Sequence, residues 1–578
     1  MSFMKKTIYI SGLVLALSLT LTGCSDNWND HYDARGGNET AVEGTIWDVV
    51  STDPELSNFS SVIEECGYSS LLASMQAFTL FAPTNANFTE AMRDSIINVY
   101  KSQATRANGS KELRNEAIAQ FIYNHLSRYK NSVTSGTDTI IKMMNGKRLL
   151  LTENSFDGKE FIKSNIKTDN GIIFYIKDPL VFKPNIYEYI TKTTDRDSDL
   201  DSLNAFLSNS RFCFDEFDAE NSVPGDIVDG KTQYLDSVTV LKNTILEDWY
   251  GAGLNDEDST YILIAPTNDL WKQQLTKYQK YFKYNADDTD ITPEMRDSME
   301  YTFPRWAIIS GTAFSKTFNS EQSLNDSAFS TNAIPYSYRY QVYGSYDEKY
   351  YQYDKPNASG GIFDGTTEEK CSNGVIKKAT TLNALDTERF LQKIVQWVGV
   401  SSAQSLDSVT TTSTSLPDYN LVTKDSPFYD KLMGHAFVVI SPNSNAGRPT
   451  CQFHVDNVLS NVKYNVYLLT APAISGDTLD TDKDKSTKYR VTIRLRNNGK
   501  NTETVVKPEG SSSNYVDITT NTGDVVKQYL GTYKFDYSSF GLEESRVKMR
   551  FESRQTGSDI ETKRIRLSAI IFEPVVEE

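Results

Sequence analysis

Four histidines, His31, His125, His435 and His454, are the side chains best suited to moving a proton near neutral pH, and no two share a metal-ligand spacing. The five cysteines, Cys24, Cys66, Cys213, Cys371 and Cys451, form no CxxC pair, and the last four read as free thiols. HExxH, a GxSxG elbow and a phosphate-cradling glycine loop do not occur in the sequence. The 76 Asp and Glu residues leave a paired-carboxylate glycosidase open, because that signature is a separation in space. Asp480, Asp482 and Asp484 start like a calcium loop, but Lys485 stands where glycine is needed and Val491 where a bidentate Glu is needed. Asp195, Asp197, Asp199 and Asp201 alternate in the same way. Both runs read first as solvated linker, with structural calcium as the alternative, and no other cofactor is indicated.

The sharpest binding candidate is aromatic. Tyr336, Tyr338 and Tyr340 alternate, and after a turn at Tyr343-Gly344-Ser345-Tyr346 so do Tyr351 and Tyr353. Such a pattern predicts a hairpin with the rings on one face. Tyrosine offers an apolar face and a hydroxyl, which suits protein contact, glycan contact, or a hairpin folded onto its own domain.

The N-terminus carries an address. Lys5-Lys6 precedes a short apolar run from Ile8 to Leu21, and then comes Leu21-Thr22-Gly23-Cys24. The run is too short and wrongly flanked for a transmembrane helix. Small residues before Cys resemble a bacterial lipobox, which implies cleavage before Cys24, lipidation there, and a membrane contact made by the acyl chains. Residues 1–23 are then a lipoprotein signal peptide and residues 24–43 an acidic tether, including Asp26, Asp30 and Asp33. That tether resembles those that direct some Gram-negative lipoproteins to the cell surface. The expected address is the outer membrane, lipid-anchored and facing the exterior. A net charge of -17 argues against nucleic acid as a partner.

These features need a scaffold, and the scaffold is written twice. Phe78-Thr79-Leu80-Phe81-Ala82-Pro83-Thr84-Asn85 recurs as Tyr261-Ile262-Leu263-Ile264-Ala265-Pro266-Thr267-Asn268. In each copy an alternating apolar strand is broken by proline, and Thr84 or Asn85 (Thr267 or Asn268 in the repeat) can cap the next helix. Ahead of the first copy, Leu56, Phe59, Val62 and Ile63 recur at helical spacing, and a further helix is predicted from Leu113 to Tyr129. Asn145-Gly146 between apolar runs predicts a hairpin. A helix is predicted over Thr381 to Val400, and the Ser/Thr-rich stretch after it reads as linker. From Phe437 onward, short strands between turns predict a β-sandwich.

The first copy resembles the fasciclin domain family. Phe78 to Phe88 is similar to the family's first motif, Tyr123-Asn124-His125-Leu126 to its central Tyr-His pair with one Asn inserted, and Asn170-Gly171-Ile172-Ile173-Phe174-Tyr175 to its second motif. The second copy resembles it through Tyr261 to Trp271 and Ser372-Asn373-Gly374-Val375-Ile376, with no Tyr-His pair. The ending Ile565 to Pro574 resembles the last strand of jelly-roll domains related to carbohydrate-binding modules. These resemblances imply a multidomain chain: two α+β fasciclin-like domains followed by an all-β jelly-roll-like sandwich. The expected boundaries are 44–190 for the first copy, 191–400 for the divergent second copy with its tyrosine-rich insertion, 401–420 for the linker and 421–578 for the sandwich. Tyr123 and His125 become weak contact candidates, since that region is associated with receptor binding in animal members. The resemblance further implies a non-catalytic binding protein, an accessory of an outer-membrane nutrient-uptake assembly of the SusC/SusD glycan type with an outer-membrane protein partner. The alternatives are an adhesin for host matrix or other cells, and a glycan-active enzyme in the β region.

Overall fold

The structure, a computed structural model, describes residues 40–104, 115–192, 197–331, 352–472 and 485–575, apart from 218, 220–221, 229, 237–238, 402–403, 499–501 and 521–522. Cys24, His31, Tyr336, Tyr338, Tyr340, Tyr351, Asp195, Asp480, Asp482 and Asp484 lie outside the described residues. The chain divides into two compact units, Met1–Phe182 with Asn221–Val238, and Lys183–Glu220 with Thr239–Glu578.

The first unit is built on strands β1 (Thr40–Ala41), β2 (Phe78–Pro83), β3 (Leu126–Arg128), β4 (Asp138–Lys142), β5 (Arg148–Thr152), β6 (Ser155–Phe156), β7 (Lys159–Thr168) and β8 (Gly171–Ile176), in the order β3-β2-β8-β7-β6-β5-β4, with β1 paired to β7. β2 and β8 run parallel and are buried along their whole length, as strands covered on both faces must be. Phe78, Leu80 and Ala82 face a cluster with Ile46, Phe59 and Ile63 from the helices Ile46–Thr52 and Ser57–Glu65. Phe81 points the other way, into a cluster with Ile141, Leu151, Phe156 and Phe174. Asn145-Gly146 sits in the turn between β4 and β5, with Gly146 at φ 82°.

The helix expected from Leu113 to Tyr129 is shorter. Ala117–Ile122 forms a wide π turn that runs through Tyr123–His125, and the chain then extends into β3 to pair with β2. Ile118, Phe121, Ile122 and Leu126 nevertheless all enter the helical-side core.

The second unit opens on the same plan. Tyr261–Pro266 runs parallel to Gly374–Ala379 in a four-stranded sheet flanked by Ala313–Ser315 and Thr367–Cys371. The register repeats: Phe78 faces Gly171 and Pro83 faces Ile176 in one unit, while Tyr261 faces Gly374 and Pro266 faces Ala379 in the other. A Cβ on Gly171 would lie 2.3 Å from the Phe78 carbonyl oxygen, and one on Gly374 1.9 Å from that of Tyr261. The strands therefore close only on glycine at this position.

The asparagine before each glycine does the same work twice. Asn170 accepts from Ile46 N–H at 2.8 Å and donates to the carbonyls of Leu72 and Ser74. Asn373 accepts from Ile186 N–H at 2.9 Å and donates to Leu254 and Asp256 carbonyls at 2.9 and 2.8 Å. Each buried amide thus satisfies a helix start and a loop that water cannot reach.

The Ala-Pro-Thr-Asn turns behave differently from the expectation that they cap the following helix. Asn85 reaches back to the preceding helix, accepting from Asn58 N–H at 3.0 Å and donating to the Pro54 carbonyl at 2.8 Å. Asn268 does likewise with Ser202 N–H at 2.8 Å and the Ser198 carbonyl at 2.7 Å. Thr84 is buried and its hydroxyl finds no partner among the described residues; Thr89 supplies the side-chain oxygen at the start of Glu90–Ala104. Thr267 occupies the N-cap of Asn268–Tyr278 without a side-chain bond.

Two six-stranded sheets make up the remainder of the second unit. One runs Asp418–Leu421, Ala436–Ile440, Ile565–Pro574, Lys463–Thr470, Val526–Lys534, with Ile394–Trp397 also paired to Ile565–Pro574. The other runs Leu406–Val409, Thr450–Val455, Val547–Ser553, Lys488–Asn498, Thr502–Val506, with Val516–Thr519 paired to Lys488–Asn498. Val438, Phe453, Val466, Ile493, Phe551 and Phe572, drawn from both sheets, share one buried cluster. Two expectations are corrected here. Thr381 to Val400 is no helix: its Ile394-Val395 pair is β-branched, and Val395 and Trp397 pack with Met433, Leu469 and Ile571. Residues 401–420 are no free linker, because Leu406–Val409 and the start of Asp418–Leu421 lie within it as strands. Thr and Ser suit an exposed edge strand as well as a tether.

Within this unit the helical and β parts are joined by buried charge. Arg546 Nε lies 2.6 Å from Asp288, and Arg496 pairs with Asp290 and, at 2.8 Å, with Glu544. Tyr284 donates to the Phe540 carbonyl at 2.7 Å, and Phe540 packs on Phe303 and Trp306 with both ring centroids at 5.0 Å.

Candidate functional site

The two copies differ most on the sheet face away from their helices. In the first unit that face is sealed by aromatic rings: Phe81 stacks on Phe156 at 3.6 Å and on Phe174 at 5.2 Å, and Phe161 lies 4.8 Å from Phe174. The matching register positions in the second unit are Ile264 for Phe81 and Lys377 for Phe174. Lys377 is half-buried there, its ammonium 5.0 Å from the Phe363 ring and paired with a carboxylate, while Phe314, Tyr353 and Phe363 pack with Ile264 on the same face. A cleft of about 730 Å³ opens beside it.

The sheet supplies Ile262, Val375, Lys377, Glu368 and Lys370 to the cleft, and the expanded segment after Ala313–Ser315 supplies Lys316, Glu321 and Leu324. Residues 315–329 of that segment are tied together by one side chain. Asn319 donates to Ser315 and Phe329 carbonyls, both at 2.9 Å, and accepts from Phe329 N–H at 2.7 Å. Glu368 and Lys377 are directly opposed across the strand pair and form an ion pair. The Lys377 ammonium holds the Glu368 carboxyl below the usual carboxylate range, with Lys370 and Lys316 contributing through space. Lys316 and Lys370 have no ion-pair partner among the described residues.

Of the five tyrosines proposed as contacts, only Tyr353 is described, and it is withdrawn from that set. It is 3 % exposed, packs with Phe314 and Phe363, and donates its hydroxyl to the Gly311 carbonyl at 2.9 Å. Tyr336, Tyr338, Tyr340 and Tyr351 lie outside the described residues.

Tyr123 and His125 are also interior. The Tyr123 hydroxyl meets that of Tyr68 at 2.8 Å. His125 is fully buried; Nε2 accepts the Leu180 N–H at 2.9 Å, and Nδ1 lies 2.8 Å from the Phe121 carbonyl oxygen. One partner only donates and the other only accepts, so the ring is neutral with its proton on Nδ1. Neither residue is presented to a partner, which corrects the expectation taken from the Tyr-His region.

Burial pulls the His125 imidazole down to about 4, against the partial support of the Phe121 carbonyl. An unfolded chain binds a proton at this histidine from about pH 6.5 downward, while the folded chain resists until about 4, so stability present above pH 6.5 is lost as pH falls through that window. The loss from this group is expected to be on the order of 3 kcal/mol. Hydrogen exchange of first-unit amides checks it: His125→Gln should show a shallower pH dependence than wild type, and equal slopes would contradict a buried neutral ring.

His454 is the reverse case. Its Nδ1 lies 2.6 Å from Asp407, whose other oxygen meets Lys548 Nζ at 2.6 Å, and the Asp407 carboxylate raises the His454 pKa. The three residues come from adjacent strands and satisfy one another. Sequence reading missed this cluster because its members are far apart in the chain. Among the described residues no group of three or more His, Cys, Asp or Glu side chains is placed to hold a metal ion. Asp197 caps a helical turn and pairs with Lys378 at 2.8 Å. Cys66, Cys213, Cys371 and Cys451 are free thiols. No helix among the described residues is long and apolar enough to cross a membrane.

The family model of the Fasciclin domain matches residues 54–182, the stretch that holds β2 to β8 and the buried His125. Fasciclin domains are typically adhesion or interaction modules. No curated protein matches the chain. Among solved structures, a FAS1 domain pair from the insect cell adhesion molecule fasciclin I is 12% identical and covers 58% of this chain and 98% of its own, with a TM-score of 0.17. A family 11 carbohydrate-binding module from Clostridium thermocellum, in complex with a β-1,3-1,4-mixed-linked tetrasaccharide, is 9% identical over 32% of this chain and 98% of its own, with a TM-score of 0.17. The enzymatically active domain of tailspike protein 4 from bacteriophage CBA120 is 9% identical over 32% of this chain and 19% of its own, with a TM-score of 0.17. Likenesses at that score bear no argument about function.

Proposed function

We propose that the protein is a non-catalytic surface lipoprotein, anchored through Cys24 to the outer membrane and facing outward, that serves a nutrient-uptake assembly of the SusC/SusD glycan type by binding a membrane protein partner, a glycan, or both. The fasciclin match over residues 54–182 is the observation that carries the binding role. In this reading the second unit begins with a divergent fasciclin-like copy, supported by the repeated strand register and the paired Asn170 and Asn373 networks. It ends in a jelly-roll-like sandwich, supported by the two six-stranded sheets around one core. Adhesion to host matrix or other cells is the second reading, favoured by the same family match.

The Tyr338 and Tyr351 rings remain proposed contacts. A glycan array with the full chain tests them: binding to a neutral or acidic glycan should fall at least tenfold in Tyr338→Ala/Tyr351→Ala. Unchanged binding in the double variant would remove the tyrosine segment from the account.

A further inference from the structure

We infer that the cleft on the second unit's sheet is a binding site for an oxyanion-bearing saccharide, one whose carboxylate or sulfate group is received by Lys316 and Lys370. The inference names a site and ligand class for the binding role proposed above and rests on that role.

Three observations lead there. First, the cleft opens beside Lys377, which stands at the register position of Phe174, and the rings of Phe314, Tyr353 and Phe363 that pack with Ile264 on this face do not line it. Its volume of about 730 Å³ lies within the range typical of small-ligand sites, roughly 300–1,000 Å³. Second, its charge is arranged for an anion. Glu368 is already neutralised by Lys377, and of the lining charges that remain, Lys316 and Lys370, uncommitted among the described residues, outnumber Glu321. On a chain of net charge -17, a locally cationic recess is the place where an anion meets attraction. Third, the wall is mixed. Half-buried Val375, set over the buried Ile262 and Leu324, and the methylene stems of the lysines offer apolar surface against which the C–H face of a pyranose can pack, while the ammonium groups hold its charged substituent. A free inorganic anion would use the charge and waste the apolar wall.

Calorimetric titration of the full chain in detergent tests this with a galacturonic acid trimer, a sulfated galactose trimer, a neutral galactose trimer and inorganic sulfate. One or both acidic trimers should bind at least tenfold more tightly than the neutral trimer and than sulfate, with affinity falling as salt rises. Which acidic trimer binds distinguishes carboxylate from sulfate as the recognised group. Lys316→Glu/Lys370→Glu should lose that binding at least tenfold while melting at the wild-type temperature. The inference is overturned if acidic and neutral trimers bind alike, if neither acidic trimer binds, or if the double variant keeps its affinity. A membrane partner recovered from the same preparation, with no saccharide bound, would sink the cleft and leave the uptake role standing.

Discussion

Replacing Arg389 with leucine is expected to lower the unfolding free energy of the second unit by about 4 kcal/mol, seen as a drop in its urea midpoint. Arg389 has no exposed surface. Its guanidinium donates to the Ser310 carbonyl at 3.1 Å, to those of Ala307 and Ile308 at 2.6 and 2.7 Å, and to the Tyr278 hydroxyl at 3.0 Å. The carbonyls belong to the end of the helix Pro293–Ile309 and the residue after it, where the last carbonyls have no intrahelical N–H donors of their own and the helix dipole favours a cation. A carboxylate is reached through a relay: Tyr278 donates to Asp386 at 2.7 Å. Leucine would fill the space but leave several buried acceptors unpaired, each costing on the order of 1–3 kcal/mol. Arg389→Lys should recover little, because a single ammonium cannot reach both sides of the fork. A loss below about 1 kcal/mol in the leucine variant would show that these carbonyls find other donors.

The second large effect lies at the join between the helical and β parts of the same unit. Asp288→Ala is expected to cost roughly 3–5 kcal/mol, because Arg546 would then keep a buried charge with, among the described residues, only the Glu544 carbonyl to offset it. The Asp288 and Arg546 side chains are 1 % and 6 % exposed, so solvent cannot take over. The paired change Asp288→Leu/Arg546→Met should recover most of the loss, since a buried ion pair and an apolar pair of similar volume are close in free energy. Calorimetry reads the consequence: wild type should unfold this unit in one transition, and Asp288→Ala in two. A single unshifted transition in the alanine variant would mean that the Phe282, Phe303, Trp306 and Phe540 rings, with the Arg496–Asp290 pair and the Tyr284 hydroxyl, hold the join without Asp288.

How much of this is legible in sequence depends on distance along the chain. The strand–Pro–Thr–Asn units are legible because each is one contiguous local pattern, and both fold as parallel central strands. The role of Asn85 and Asn268 is not, because their partners lie 27 and 66 residues upstream. Capping is the local option, and the tertiary option won. Ile394-Val395 has helical spacing with Leu391 and strand chemistry at once, and only pairing with Ile565–Pro574 decides between them. The cleft was hidden for a similar reason: Lys316, Lys370 and Lys377 are ordinary surface lysines until the sheet register sets them around one recess. Tyr353 shows the opposite error. Alternation marks a strand with two faces and is silent on which one is buried.

The measurement that tests the central claim most directly is co-purification of the tagged full chain from detergent-solubilised outer membranes. The surface-accessory account predicts that the chain fractionates with the outer membrane and brings an integral membrane protein with it in fixed proportion, and that Cys24→Ser abolishes the membrane association. Recovery of the free monomer alone, or an unchanged distribution of the Cys24→Ser chain, would contradict it.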